Sequence, residues 1–427
     1  MIQFIIKGLI RDRSRSIFPV LVVTAGVALT VLIYCWVKGA ENEMIRANAH
    51  FTTGHVKIMS RAYAAESDQI PNDLALAGID TLLPALKQRF PELVWTPRIR
   101  FGGLLDIPDE QGETRDQGPV MGMAIDLFSP ESPEKQLLNL EPALVSGRLP
   151  REPGEMLISE TFAQSLNVKC GDRATLISST MFGSMTMANF AIVGTIRFGV
   201  TAMDRGSMVA DIGDIQRVLD MQGATGEILG FFNNFVYNKD EAQKVADAFN
   251  QRYSDEADEA DEFSPIMKTL RQQSGLAELL DMTAGVYTGL TFLFVVVMSL
   301  VLWNAGLMGG LRRYGEFGVR LAFGERKGHL YRSLLLEALV IGLCGSIFGS
   351  ALGLALSYYL QNVGIDISGM MKNAAMVMSN VMRARVTPVS YVIGFIPGVI
   401  ATLIGAAIAG IGIYRRQTSQ LFKELEV

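Results

Sequence analysis

Four stretches of this chain, 17–37, 284–311, 334–360 and 388–414, stay apolar for the roughly 20 residues or more that a helix needs to cross a bilayer's hydrocarbon core. Between the first two lies a long polar region, 38–282, in which apolar and polar residues alternate over short runs. That period predicts strands at Gly54–Ser60, Trp95–Ile107, Pro119–Asp126, Glu155–Ser159, Arg173–Ser178, Met187–Phe198, Ser207–Ile212 and Phe231–Tyr237. Helices are expected between them at Ile79–Phe90, Glu160–Val168, Asp214–Met221 and Asp240–Tyr253, the last capped by Asp240. Hairpins mixed with helices favour an α+β domain over a doubly wound one. Ser264 and Pro265, behind Asp261 and Glu262, read as the cap and first residue of a helix that has no stop signal before Leu311. With Lys38–Asn48 extending the first span, that helix would form a stalk.

Charge orients the spans. The segment 312–333 carries Arg312, Arg313, Arg320, Arg326, Lys327 and Arg332 against Glu316 and Glu325, and short loops this basic remain on the cytoplasmic side. The polar domain then falls outside the cytoplasm and both termini inside, with 361–387 as an outer loop and 415–427 as a cytoplasmic tail carrying Arg415, Arg416 and Lys423. Residues 1–16 set Ile2, Ile5, Ile6, Leu9 and Ile10 against Lys7, Arg11, Arg13 and Arg15, the pattern of a helix lying in the membrane interface. The expected architecture is an α-helical membrane protein with four transmembrane helices and a large α+β extracytoplasmic domain inserted between helices 1 and 2. A bacterial inner membrane is the expected location.

Composition agrees with a mixed protein: of 427 residues 49% are hydrophobic, and the net charge is −5, with mean hydropathy +0.27. The three cysteines, Cys35, Cys170 and Cys344, and the three histidines, His50, His55 and His329, have no metal-ligand or disulfide spacing. Neither a G-x-x-x-x-G-K-[ST] phosphate loop nor an H-E-x-x-H or G-x-S-x-G motif occurs, so any ATP must be handled by another subunit and catalysis by this chain is disfavoured. No cofactor, metal or nucleic-acid partner is expected. The acidic run Ser254–Glu262 lacks the glycine and oxygen spacing of a calcium loop and reads as a solvated linker.

Within 312–338, the order RRYGEFGVRLAFGERKGHLYRSLLLEA places Glu316, Phe317, Arg320, Leu321 and Phe323 at helical spacing, with Gly324 where the helix would end. This run resembles the signature of the MacB/FtsX-like permease family of ABC transporters at Arg312, Arg313, Glu316, Gly318, Arg320, Ala322, Gly324 and Glu337. The resemblance continues in the outer domain at Gly147, Arg148, Gly154, Gly171, Asp172, Gly194 and Asp204. It implies that the short helix is a coupling helix seated on a cytoplasmic ABC ATPase dimer, through Arg313, Glu316, Phe317, Arg320 and Phe323. It further implies a second permease copy or paralogue and mechanotransmission to the outer domain. The lipoprotein-releasing LolC/LolE type is the most similar, with a lipoprotein substrate and a periplasmic carrier as partners alongside membrane lipids. A peptide, toxin or lipid exporter, or an FtsX-like signalling scaffold acting on an extracytoplasmic hydrolase, is the alternative.

Other features are read from the residues themselves. Gly345, Gly349 and Gly353 give the third span a small-residue face for close helix packing. Glu337 is the only carboxylate inside a span and, being near its cytoplasmic end, is expected to tie the coupling segment to the membrane. Met181, Phe182, Met185 and Met187 form a Met-rich hairpin tip suited to an apolar substrate or partner. The hairpin that recruits a carrier in lipoprotein-releasing subunits is longer, and the corresponding piece here, Ser179–Asn189, is short and lacks proline.

Overall fold

The computed structural model describes residues 13–199, 201–256, 261–273, 275–366 and 381–415. Residues 1–12 of the interfacial segment, 257–260 of the acidic run, 367–380 of the outer loop and the tail with Arg416 and Lys423 lie outside the described residues. Among the described residues the chain divides into two compact units, one comprising 13–43, 282–366 and 381–415, the other 44–281. The principal helices, in chain order, are α1 (Arg13–Asn48), α2 (Ile79–Arg89), α3 (Glu160–Ser165), α4 (Ile212–Val218), α5 (Lys239–Glu256), α6 (Leu276–Leu311), α7 (Tyr314–Ala322), α8 (Lys327–Asn362) and α9 (Thr402–Arg415).

The large unit is built on a mixed sheet. Its strands are β1 (Val56–Ser60), β2 (Leu93–Pro108), β3 (Thr114–Ile125), β4 (Leu144–Gly147), β5 (Glu155–Ser159), β6 (Arg173–Ser179), β7 (Met185–Ile196), β8 (Ser207–Asp211), β9 (Glu227–Phe232) and β10 (Pro265–Thr269). They pair in the order β10–β1–β9–β2–β3–β8–β5–β7–β4, while β6 pairs with both β2 and β7. The path β2–β3–β8–β5–β7–β6 therefore returns to β2 and closes a ring, which leaves none of those strands with an open edge. Pairing is parallel only between β3 and β8 and between β5 and β7. Alternation fills the ring's interior with Ile99, Phe101, Leu105, Val120, Met156, Ile158, Leu176, Phe190, Ile192 and Met208. The long β2 serves two cores. Its first half, with β9, β1 and β10, forms an open sheet where Trp95, Ile228, Val56 and Met267 pack with Leu86 and Phe90 near α2 and Phe249 of α5.

Two expectations give way here. Pro265 starts not a helix but β10, which runs antiparallel to β1 from Ser60↔Pro265 to Val56↔Thr269. Proline is tolerated at the first position of an edge strand, and burying Met267 in the sheet's core outweighs the helix-start signal. The helix begins only at Leu276, after Gly275 at φ +66 has turned the chain. Likewise the strand expected at Phe231–Tyr237 lies at Glu227–Phe232. Glu227, outside the strand expected there, is fully buried, with the Lys57 ammonium at 2.6 Å and the Arg100 guanidinium at 3.5 Å. Burial works to raise its pKa, but those two cations prevail and hold the carboxyl below the usual range.

His55 is buried beside β9, where its Nδ1 accepts the Phe232 amide at 3.0 Å and its ring packs against Phe231, Phe232 and Tyr237. Burial, with a smaller contribution from His50, lowers its pKa to about 3. Above pH 6.5 the ring is neutral in folded and unfolded chains alike. As pH falls below 6.5 only the unfolded chain gains the proton, so stability is lost progressively until about pH 3. Denaturant titrations at pH 6.5 and 5 should differ by about 2 kcal/mol from this group. A His55→Gln variant should lose that part of the slope.

Helices long and apolar enough to cross a membrane lie within Ile17–Thr53, Leu276–Ala322, Lys327–Asn362 and Pro388–Tyr414, and most of their residues belong to the other unit. One face of α1, with Val23, Val27 and Val31, is buried against α8 and the segment before α9. In the last span the chain makes a 3-10 turn at Pro388–Tyr391 and a π-helical turn at Ile396–Ala401 before α9. Pro397, which has no amide proton to donate, sits in that π turn. Most of α6 stays open, including Leu290, Phe292, Leu293, Leu300 and Val301.

Candidate functional site

The charged segment between α6 and α8 is a short helix with two unlike faces. α7 is amphipathic, with Arg313 at its N-cap, and Gly324 at φ +89 turns the chain toward α8. Tyr314, Phe317 and Gly318 face inward. The Tyr314 hydroxyl donates to the carbonyl of Ala409 in α9, and Phe317 packs in a cluster with Leu330, Leu334, Ala338, Ala406 and Ile413. Arg313 pairs with Glu337 of α8, linking the start of α7 to the first third of the neighbouring helix. On the other side Arg320 is exposed and Phe323 is 89% exposed, with Arg312 and Arg326 also open to solvent. Glu316 is half-buried.

This splits the residues expected on one outward face. Phe317, expected as an outward anchor, is 4% exposed and belongs to the helix bundle. The reason is geometric: Phe317 lies three residues after Tyr314, on the face that packs, whereas Phe323 lies beyond the last helical residue and escapes it. Of the residues expected to dock, Arg320 and Phe323 are the two that the segment exposes.

The glycines of α8 face α1. A Cβ added at Gly345 would lie 2.6 Å from Val23 Cγ1, one at Gly349 2.6 Å from the Thr24 carbonyl oxygen, and one at Gly353 2.8 Å from that of Ala28. Backbone contacts that close leave no room for a side chain. Gly394 and Gly398, whose added Cβ atoms would each meet Val27 at 2.6 Å, were not singled out from sequence. They too stand four residues apart, so the same spacing signal was present in the sequence.

In the large unit, β6 and β7 form a hairpin through Thr180–Ser184, with Gly183 at φ +82. Phe182, Met185 and Met187 are exposed. Met181 is not: it packs on the ring's core, and its amide donates to the Leu219 carbonyl at 2.8 Å. Strand register adds residues that sequence reading missed. Pro119, Leu104 and Ile177 stand in one row with the already expected Met187 on consecutive strands, and exposed Met121 lies in the next row. Alternation puts each on the ring's outside, but only pairing shows that they adjoin. Asp172 and Asp204 accept backbone amides of Lys169 and of Phe198 and Gly199, the work of turn-forming carboxylates. Among the described residues no group of His, Cys, Asp or Glu could hold a metal ion.

Residues 288–418 match the family described as FtsX-like permease C-terminal. The lipoprotein-releasing system transmembrane protein LolC of Xylella fastidiosa (strain 9a5c) is 24% identical over 219 residues, which cover 50% of each chain. The macrolide export ATP-binding/permease protein MacB of Shewanella sp. (strain ANA-3) is 33% identical over 109 residues, 24% of this chain and 16% of that one. The match thus spans about half the length of LolC and much less of MacB. Among solved structures, the periplasmic region of MacB from Actinobacillus actinomycetemcomitans aligns with TM-score 0.36 and 12% identity, over 54% of this chain and 93% of that one.

Proposed function

Because this chain carries an FtsX-like permease domain and belongs to the MacB/FtsX-like family, with similarity to LolC, we propose that it is the membrane subunit of an ABC transporter whose ATPase is a separate cytoplasmic protein. α7 is the point of coupling. The observation that carries this reading is the division of α7 into a face fixed to the bundle, through Tyr314, Phe317 and the Arg313–Glu337 pair, and an open end bearing Arg320 and Phe323. A helix fixed on one side and gripped on the other moves its neighbours when the grip moves. In this reading Glu337 is a positioning residue, the basic segment and both termini face the cytoplasm, and the large unit lies outside as the part that does work on the substrate. Release of lipoproteins is the substrate class supported by the similarity to LolC. The apolar row ending in Met187, with Phe182 at the hairpin tip, is where such a cargo or its acceptor would touch the large unit.

Aromatic anchors and arginines at interfaces each contribute about 2 kcal/mol when they matter. An Arg320→Glu, Phe323→Ala double variant should therefore weaken ATPase association by on the order of 100-fold or more. Its melting temperature should remain that of the parent, since both side chains are exposed. Copurification of a tagged ATPase, measured with the melting curve, checks this. Unchanged ATPase copurification and unchanged transport in that variant would sink the coupling role.

A further inference from the structure

Beside the face of α8 that meets α7, a groove of about 330 Å³ opens between α8 and α9. It is lined by Arg332, Leu335, Leu336 and Leu339 of α8 and by Leu403 of α9. The four α8 residues recur at intervals of three and four, so they form one stripe, roughly 10 Å long at the helical rise. The stripe is apolar except at its first residue. Arg332 is exposed and has no ion pair among the described residues. Glu337, five residues further along α8, pairs with Arg313 instead. The groove thus offers a row of leucines along a membrane-length helix, with the stem of Arg332 lining one end and no ion partner for that arginine among the described residues.

We propose that this groove holds one acyl chain of an anionic phospholipid whose phosphate pairs with Arg332. The complementarity is twofold. A guanidinium binds phosphate oxygens through paired N–H donors, and the leucines accept a flexible chain that continues from the headgroup along the helix. A neutral detergent would satisfy only the leucines. A second copy would need about 800 Å² on each side for a stable interface, far more than five side chains supply. The inference does not depend on what the protein transports.

The test uses the full chain in nanodiscs or mild detergent, with bound lipids counted by native mass spectrometry. Phosphatidylglycerol and phosphatidylcholine are the probes. The parent should retain phosphatidylglycerol about fivefold more tightly than phosphatidylcholine, the preference one cation near the headgroup confers. Arg332→Gln should bring the two lipids to parity, and Leu339→Trp, which fills the groove, should lower retention of both. Arg326→Gln, an exposed cation outside the groove, should leave the preference intact. The proposal is overturned if Arg332→Gln and Arg326→Gln act alike, which would mean diffuse surface charge. It also fails if removal of residues 1–12 raises lipid retention, since the amphipathic N-terminal segment would then be the occupant. Disulfide capture between chains through a cysteine at 336 would assign the groove to a second copy and overturn it as well.

Discussion

Replacing Glu134 with alanine should destabilise the large unit by about 3–5 kcal/mol, enough to leave much of it unfolded at 37 °C. Arg98 and Glu134 are both 0% exposed. Arg98 Nε donates to Glu134 Oε1 at 2.8 Å and Nη2 to Oε2 at 2.7 Å, while the Thr96 hydroxyl donates to Oε1 at 2.8 Å. Arg98 Nη1 also donates to the Phe51 carbonyl at 3.1 Å, so the guanidinium ties β2 to the segment ahead of β1 and, through Glu134, to the short helix Glu134–Leu137. Removing the carboxylate strands a cation where water cannot follow. The arithmetic of buried pairs makes a second expectation sharper: an Arg98→Met, Glu134→Leu double variant should recover most of the loss, because the pair's attraction is largely offset by the desolvation of its members. Chemical denaturation of the two single variants and the double gives the coupling energy directly. A loss below about 1 kcal/mol for Glu134→Ala would mean that water reaches this site and that the pair is not a buried one.

Phe317→Ala should cost a further unit of similar size elsewhere, about 3–5 kcal/mol in the helix bundle, by opening a cavity among Leu330, Leu334, Ala338, Ala406 and Ile413. The same truncation at Phe323, 89% exposed, should change stability by less than about 0.5 kcal/mol. Thermal unfolding of the two variants in the same detergent separates them. The pair of measurements matters because both phenylalanines sit in the segment proposed to dock on an ATPase. A loss of transport in Phe317→Ala is expected from a loosened helix, whereas in Phe323→Ala it would report the contact itself. Equal stability of the two would show that α7 does not pack on α8 and α9 as described.

Much of this protein is legible without coordinates, because the constraints are local. A span needs a long apolar run, since lipid offers backbone groups no partners, and each of the four candidate helices overlaps such a run. Strands such as Glu155–Ser159 and Arg173–Ser179 fall within a residue of their expected limits because alternation and turn residues mark both ends. The small face of Gly345, Gly349 and Gly353 is likewise a matter of spacing, although which helix it meets is not.

What the sequence leaves open is decided by partners distant along the chain. Glu227 and Arg98 are charged residues inside strands, and a charge in a strand signals a solvated edge unless something 36 or 170 positions away neutralises it, as Glu134 and Lys57 do. Pro265 carries every local mark of a helix start, yet β1 offers it an edge and the sheet's core takes Met267, so burial overrides propensity. Closure of the ring depends on β6 reaching both β2 and β7, a pairing that no periodicity encodes. The two faces of α7 follow the same logic. Sequence determines that a charged amphipathic helix lies between two apolar ones, but an amphipathic helix between spans could turn its aromatic residues either way. Tyr314 and Phe317 point inward because α8 and α9 provide a cluster and the Ala409 carbonyl for them there, and that leaves Arg320 and Phe323 outside.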